Sequence, residues 1–140
     1  MSACVFCEIV AGDAPAYRVF EDERTLAFLD AAPATHGHTL VVPKAHRETV
    51  TEMDTALVTA VFRTVRRVAS AIEETFDPDG LTVVQSNGEA AGQDVFHAHV
   101  HVVPRWEDDE VTLRWEPAAL PDERAKRVAT AIRDQLGESA

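Results

Sequence analysis

His97-Ala98-His99-Val100-His101-Val102-Val103 is the stretch from which the chain is best read. Successive side chains of a strand point to opposite faces, so residues two apart share one face. On that pattern His97, His99 and His101 line one side, and Ala98, Val100 and Val102 pack into a core on the other. Imidazole acts as base, acid, nucleophile or metal ligand near neutral pH. Three in alternation therefore form a reactive row that folding alone does not require. The competing readings are a polar strand face that carries histidine and a simple metal-binding row.

Working outward, residues 95–103 read as the triad strand, ended by Pro104, and residues 81–85 as its antiparallel neighbour. Between them runs the loop Ser86-Asn87-Gly88-Glu89-Ala90-Ala91-Gly92-Gln93, whose glycines permit close backbone approach to phosphate oxygens. Upstream, Leu57, Val61, Val65, Val68, Ile72 and Phe76 recur at steps of three and four, one apolar stripe of a long helix. Thr51 or Asp54 can cap its start, and Asp77-Pro78-Asp79-Gly80 ends it. Residues 17–20 and 25–29 are short strands joined by a charged turn, and residues 39–42 are a β-branched run stopped by Pro43. A last helix spans residues 122–136, with Ala125, Val128, Ala129, Ile132 and Leu136 inward. This predicts an α+β fold: an antiparallel sheet of about five strands, one long helix packed on it and a C-terminal helix.

At 140 residues the chain fits a single domain over 1–140, with a core of about 4–105 and a C-terminal extension over 106–140. No run of about 18 apolar residues is present, so no membrane span is expected. The start Met1-Ser2-Ala3-Cys4 has neither a basic region nor an apolar segment, which points to the cytoplasm. The formal net charge of −11 disfavours nonspecific nucleic-acid binding and opposes an approaching anion. A site for an anion must then be locally positive, with His38, His46, His99, His101 and Arg105 as sources. Lysine occurs only at Lys44 and Lys126, against eleven arginines, which fits either salt adaptation or an ordinary acidic cytosolic protein.

With Asp30, the segment His38-Thr-Leu-Val-Val-Pro-Lys-Ala-His46 and Ala91-Gly92-Gln93-Asp94-Val95-Phe96 in order before the triad, the chain resembles the histidine-triad (HIT) family of nucleotide hydrolases and transferases. The likeness is to the Hint-like branch in its prokaryotic, zinc-containing form, and it runs from Cys4 to about Arg105. The resemblance implies a HIT-like fold, a homodimer, and nucleotidyl transfer through a covalent histidine intermediate. His99 then matches the nucleophile. His101 would hydrogen-bond the phosphate or hand a proton to the leaving group, and His38 would support the same region. Asp30 matches the residue that accepts from both ribose hydroxyls, and Phe6, Ile9, Phe28 and Leu29 match the purine slot. Ser86, Asn87 and Gln93 fall where phosphate contacts are expected. The chain departs from the family pattern at Ser86, where Asn is frequent, and at Asp94, where the animal enzymes carry Ser near the leaving group. A carboxylate at Asp94 would repel an anionic leaving group, or it would simply point to solvent.

Cys4-Val-Phe-Cys7 is the only cysteine pair. In a cytosolic chain CxxC reads as a metal or redox site, and no βαβ unit supports a thioredoxin-like one. His46 and His97 are candidates for the two remaining positions of a tetrahedral zinc, and the set matches the family's prokaryotic zinc site. The alternative is a pair of buried thiols with no metal. The expected function is a purine nucleotide hydrolase of the adenosine 5′-monophosphoramidase type, with structural zinc and no requirement for Mg²⁺. A dinucleoside polyphosphate hydrolase and a nucleotide-binding regulatory module are the competing functions.

Overall fold

The computed structural model describes residues 4–137. Residues 1–3, part of the stretch read above for a leader segment, and residues 138–140 lie outside the described residues. The chain builds α1 (Val5–Ala11), β1 (Arg18–Glu21), β2 (Thr25–Leu29), β3 (Thr39–Pro43), α2 (Thr55–Phe76), β4 (Gly80–Val84), β5 (Val100–Arg105) and α3 (Asp122–Leu136). The five strands form one antiparallel sheet in the order β1-β2-β3-β5-β4, the expected α+β arrangement. No helix among the described residues is long and apolar enough to cross a membrane.

The long helix starts where Asp54 accepts a hydrogen bond from the Leu57 N–H at 2.9 Å. Thr51 is not its cap; it sits in a preceding 3₁₀ turn, Val50–Glu52. The apolar stripe of α2 buries Val61, Val65, Val68 and Ile72 against Ala27, Val41, Val100 and Val102 of the sheet. Each such side chain contributes about 1.5–3 kcal/mol. One polar pair, Thr25 and Thr64, crosses this layer and is satisfied by a mutual hydroxyl hydrogen bond of 2.8 Å. On the other face of the sheet, Phe6 and Ile9 of α1 pack over Leu26, Phe28, Leu40 and Val42. The middle of the sheet is thus covered on both sides, which is why β2 and β3 read as apolar runs instead of alternating.

Three expectations need correction. The triad strand begins at Val100, not 95, so His97 and His99 precede the regular ladder. Pro43 and Pro104 lie within their strands, Pro43 as the last residue of β3 and Pro104 as the last but one of β5: Pro43 pairs with Thr25 and Pro104 with Leu81. The β3–β5 ladder spans only Thr39↔Val102 to Val41↔Val100. Both prolines lie beyond it, and their carbonyls on that side accept from side chains, His97 and Thr35 respectively. A proline there forfeits no ladder bond. Third, the residues expected inward on α3 are not buried: Val128, Ile132 and Leu136 are 46–62% exposed.

Gly37 closes the loop before β3 at φ +96°, and a Cβ there would stand 2.9 Å from the Phe76 ring. Only glycine meets both demands.

Candidate active site

The ends of β2, β3 and β5 and the helix α1 surround a cavity of about 660 Å³. His99 and His101 stand in its wall, and Phe6, Ile9, Phe28, Leu29, Asp30 and Asp94 line it with them. These eight come from four separate stretches of sequence. Ser86, Asn87 and Gln93 do not line this cavity. Asn87 accepts from the Val50 N–H at 2.8 Å. Buried Gln93 accepts from the Gly88 N–H and donates to the carbonyls of Glu48 and Val95, each at 2.7–3.0 Å. Both side chains brace the loop before the triad.

Hydrogen bonds fix which nitrogen each histidine offers. The Nδ1–H of His99 donates to the His97 carbonyl at 2.8 Å, which leaves the Nε2 lone pair toward the cavity. Nδ1 of His38 accepts from the Ala34 N–H at 2.9 Å, a group that can only donate. The proton of His38 therefore sits on Nε2, which donates to Nδ1 of His101 at 3.0 Å. Nε2 of His101 in turn carries its own proton. The relay runs one way and ends in a donor beside His99. Burial holds both His38 and His101 below the usual histidine range, and for His101 the neighbouring His99 and His38 add to it.

Of the expected sources of positive charge, burial disfavours the charged form of His38 and His101. The Arg105 guanidinium is turned to the Asp109 carboxylate at 2.8 and 2.9 Å and to the Val111 carbonyl at 2.7 Å.

Asp30 accepts from the Ala32 N–H at 2.8 Å through Oδ1, and its Oδ2 lies 3.4 Å from His38 Nε2. The Asp94 side chain is 83% exposed, yet its Oδ1 is 3.8 Å from Nε2 of His99. Phe6 packs edge-on to the His99 ring at 5.1 Å and to Phe28 at 5.4 Å. Tyr17, 79% exposed, also lines the cavity; sequence reading passed over it, although an exposed aromatic after Pro15-Ala16 was a usable signal. The backbone partners Ala34, His97 and Pro43 carry no side-chain signal at all.

Next to the cavity, Cys4, Cys7, His46 and His97 bring four donor atoms within 4.8 Å of one another. His97 donates from Nε2 to the Pro43 carbonyl at 2.8 Å, so its Nδ1 lone pair faces the cluster. The gaps between donor atoms are 3.3 Å for Cys4–His97, 3.3 and 3.6 Å for Cys7 to His46 and His97, and 3.2 Å between the imidazoles. A tetrahedral zinc has edges of about 3.3 Å between nitrogens and about 3.5 Å between nitrogen and sulfur. The donor set and its spacing therefore fit a Cys₂His₂ zinc site. Without metal, burial and the neighbouring Cys4 push the Cys7 thiol up to about 11. Metal uptake near neutral pH then entails proton release.

The family profile described as "HIT domain" matches residues 11–108. "Protein hit" of Bacillus subtilis (strain 168) is 42% identical over 139 residues, covering 97% of this chain and 96% of that one. "Adenylylsulfatase HINT3" of Arabidopsis thaliana is 36% identical over 137 residues, covering 95% of this chain and 69% of that one. A crystal structure of a zinc-bound histidine triad family protein from Mycobacterium smegmatis has a TM-score of 0.74 to this chain at 41% identity. It covers 99% of this chain and 98% of that one.

Proposed function

The chain belongs to the HIT domain family, and on that premise we propose that it is a purine nucleotide hydrolase or nucleotidyl transferase acting at the α-phosphate through a covalent nucleotidyl-His99. The preferred substrate type is an adenosine 5′-phosphoramidate. The observation that carries the reading is the 2.8 Å hydrogen bond from His99 Nδ1–H to the His97 carbonyl. It directs the other nitrogen of a buried imidazole into a cavity large enough for a nucleotide.

In the first step Nε2 of His99 attacks phosphorus. The N–P bond forms as the bond to the leaving amine breaks, and the amine takes up one proton from solvent. The Nε2–H of His101 hydrogen-bonds a phosphoryl oxygen throughout, where charge accumulates. Water then attacks the nucleotidyl-histidine, the N–P bond breaks, and His99 is restored with release of one proton. The two protons cancel, and the net change is one water added across the P–N bond. Asp30 holds the ribose, and Phe6, Ile9, Phe28 and Leu29 hold the purine. Ser86, Asn87 and Gln93 act on the phosphate through the loop that they shape. Zinc on Cys4, Cys7, His46 and His97 is structural in this reading, because four protein donors close its coordination shell. The protein is taken to work as a cytoplasmic homodimer on small nucleotides.

Mass spectrometry after an alkaline denaturing quench tests the mechanism, because the P–N bond of a nucleotidyl-histidine is labile in acid and survives in alkali. Wild type mixed with adenosine 5′-phosphoramidate should carry one AMP on the peptide that contains His99. The His99→Ala variant should carry none, turn over nothing and still bind AMP, and free imidazole should partly rescue His99→Gly. Wild-type-like turnover by His99→Ala would sink the covalent mechanism and favour a binding module.

A further inference from the structure

A second cavity adjoins the first. It encloses about 460 Å³, with the donor residues Cys4 and His46, the acids Glu48 and Asp94 and the apolar Val5, Val95 and Phe96 in its wall. Val5, Asp94 and Val95 belong to both cavities, so the two are separated by a single layer of side chains. The shared wall stands at the nucleophile, because Asp94 Oδ1 is 3.8 Å from His99 Nε2. Two carboxylates and no Lys or Arg line the second cavity among the described residues. Its apolar surface is open to contact, with Phe96 46% and Val5 43% exposed. With zinc bound, two thiolates and one Zn²⁺ cancel, so His46 belongs to a neutral group and does not offset the acidic pair.

We propose that this second cavity receives the leaving group, and that Asp94 and Glu48 select for a positively charged one. The inference rests on His99 being the nucleophile. A nucleoside seated among Phe6, Phe28 and Asp30 puts its α-phosphate at His99, and a substituent too large for that cavity extends across the wall at Asp94. There it meets an acidic rim and an apolar bed. That combination suits an organic ammonium and opposes sulfate, polyphosphate or a carboxylate-bearing group. The charge at Asp94 is a specificity determinant: it acts on the group being expelled and leaves the identity of the attacking atom unchanged.

The test uses three adenosine 5′-phosphoramidates with the same P–N bond, made from 1,3-diaminopropane, propylamine and β-alanine. They differ chiefly in distal charge, and the accompanying differences in amine basicity are common to wild type and variants, so the comparison between proteins isolates the carboxylates. One unit of charge about 6 Å from a carboxylate, at an effective dielectric constant of about 40, changes a rate constant roughly ten-fold. In low salt kcat/KM should therefore fall about ten-fold from the cationic to the neutral probe and about ten-fold again to the anionic one. Because Asp94 is exposed, both steps should shrink as ionic strength rises. Asp94→Asn and Asp94→Ser should each compress the ratio between cationic and anionic probes by about ten-fold or more, and Glu48→Gln should compress it further. Equal rates for the three probes in wild type would overturn the inference. So would a charge preference that survives in both Asp94 variants and in Glu48→Gln. If wild type turns over none of the probes and forms no nucleotidyl-His99, the nucleophile assignment itself fails, a result distinct from charge-blind turnover.

Discussion

Replacement of Asp30 by alanine should remove the preference for ribose over deoxyribose. A carboxylate has about four acceptor positions. In this structure the Ala32 N–H occupies one at 2.8 Å, and Nε2 of His38, at 3.4 Å, faces another. Two remain, on a side chain that lines the cavity and is 20% exposed. They match the two hydroxyls of one ribose. A hydrogen bond to a charged group is worth about 1.5–3 kcal/mol. Loss of one should lower kcat/KM by roughly ten-fold to somewhat over a hundred-fold. The assay is a double-mutant cycle with adenosine and 2′-deoxyadenosine phosphoramidates on wild type and Asp30→Ala. Wild type should disfavour the deoxy substrate by at least the lower figure, and the gap should nearly vanish in the variant. The stability cost should be small, about 1 kcal/mol, because the orphaned Ala32 N–H is exposed to water. A thermal melt separates that effect from the kinetic one. The reasoning is falsified if the variant folds and keeps the wild-type ribose preference, since Asp30 would then serve only the turn.

Three further outcomes follow from the same geometry. Protein purified without a metal-affinity tag should contain about one zinc per chain, and Cys4→Ala/Cys7→Ala should lose it and melt at lower temperature; unchanged zinc in that variant would remove the Cys₂His₂ assignment. A short EDTA treatment should leave the initial rate nearly unchanged, because the proposed phosphate contact is the Nε2–H of His101 and needs no divalent ion; immediate collapse with recovery on Mg²⁺ would contradict this. Stability should fall as pH drops below about 6.5: His38 and His101 are both held below their usual range by burial, so the unfolded chain takes up protons first. A melting temperature flat between pH 7 and pH 5 would refute it.

Much of this fold was legible in periodicity. The stripe of α2 is buried as its spacing implied, and β4 and β5 are neighbours across the predicted loop. The prolines misled because a missing N–H matters only where a partner strand is present, and strand order is not written in local sequence. Helix α3 misled for a related reason. Its amphipathic spacing is real, but a stripe says only that a face is apolar, and among the described residues no surface buries it. In the site, side-chain identities were readable and orientations were not. Gln93 illustrates the limit: the residue type suits a phosphate contact, while its amide is engaged by Gly88, Glu48 and Val95. For the expected positive field, burial works against the charged forms of His38 and His101, and burial is a quantity that composition does not contain.

The alternating histidines look equivalent in sequence and differ in kind in the structure. His97 lies ahead of the regular strand, and its ring is fully buried. That ring uses Nδ1 toward Cys4, Cys7 and His46 and Nε2 toward Pro43. Its carbonyl, on the same residue, accepts from His99 and sets which nitrogen faces the cavity. Phe6, between the two cysteines, rests against both the His97 and His99 rings. The donor cluster and His99 are therefore joined through one residue and one aromatic contact. Any ion that holds the cluster also holds the carbonyl that orients His99. A distant structural metal would have no such geometric claim on the chemistry.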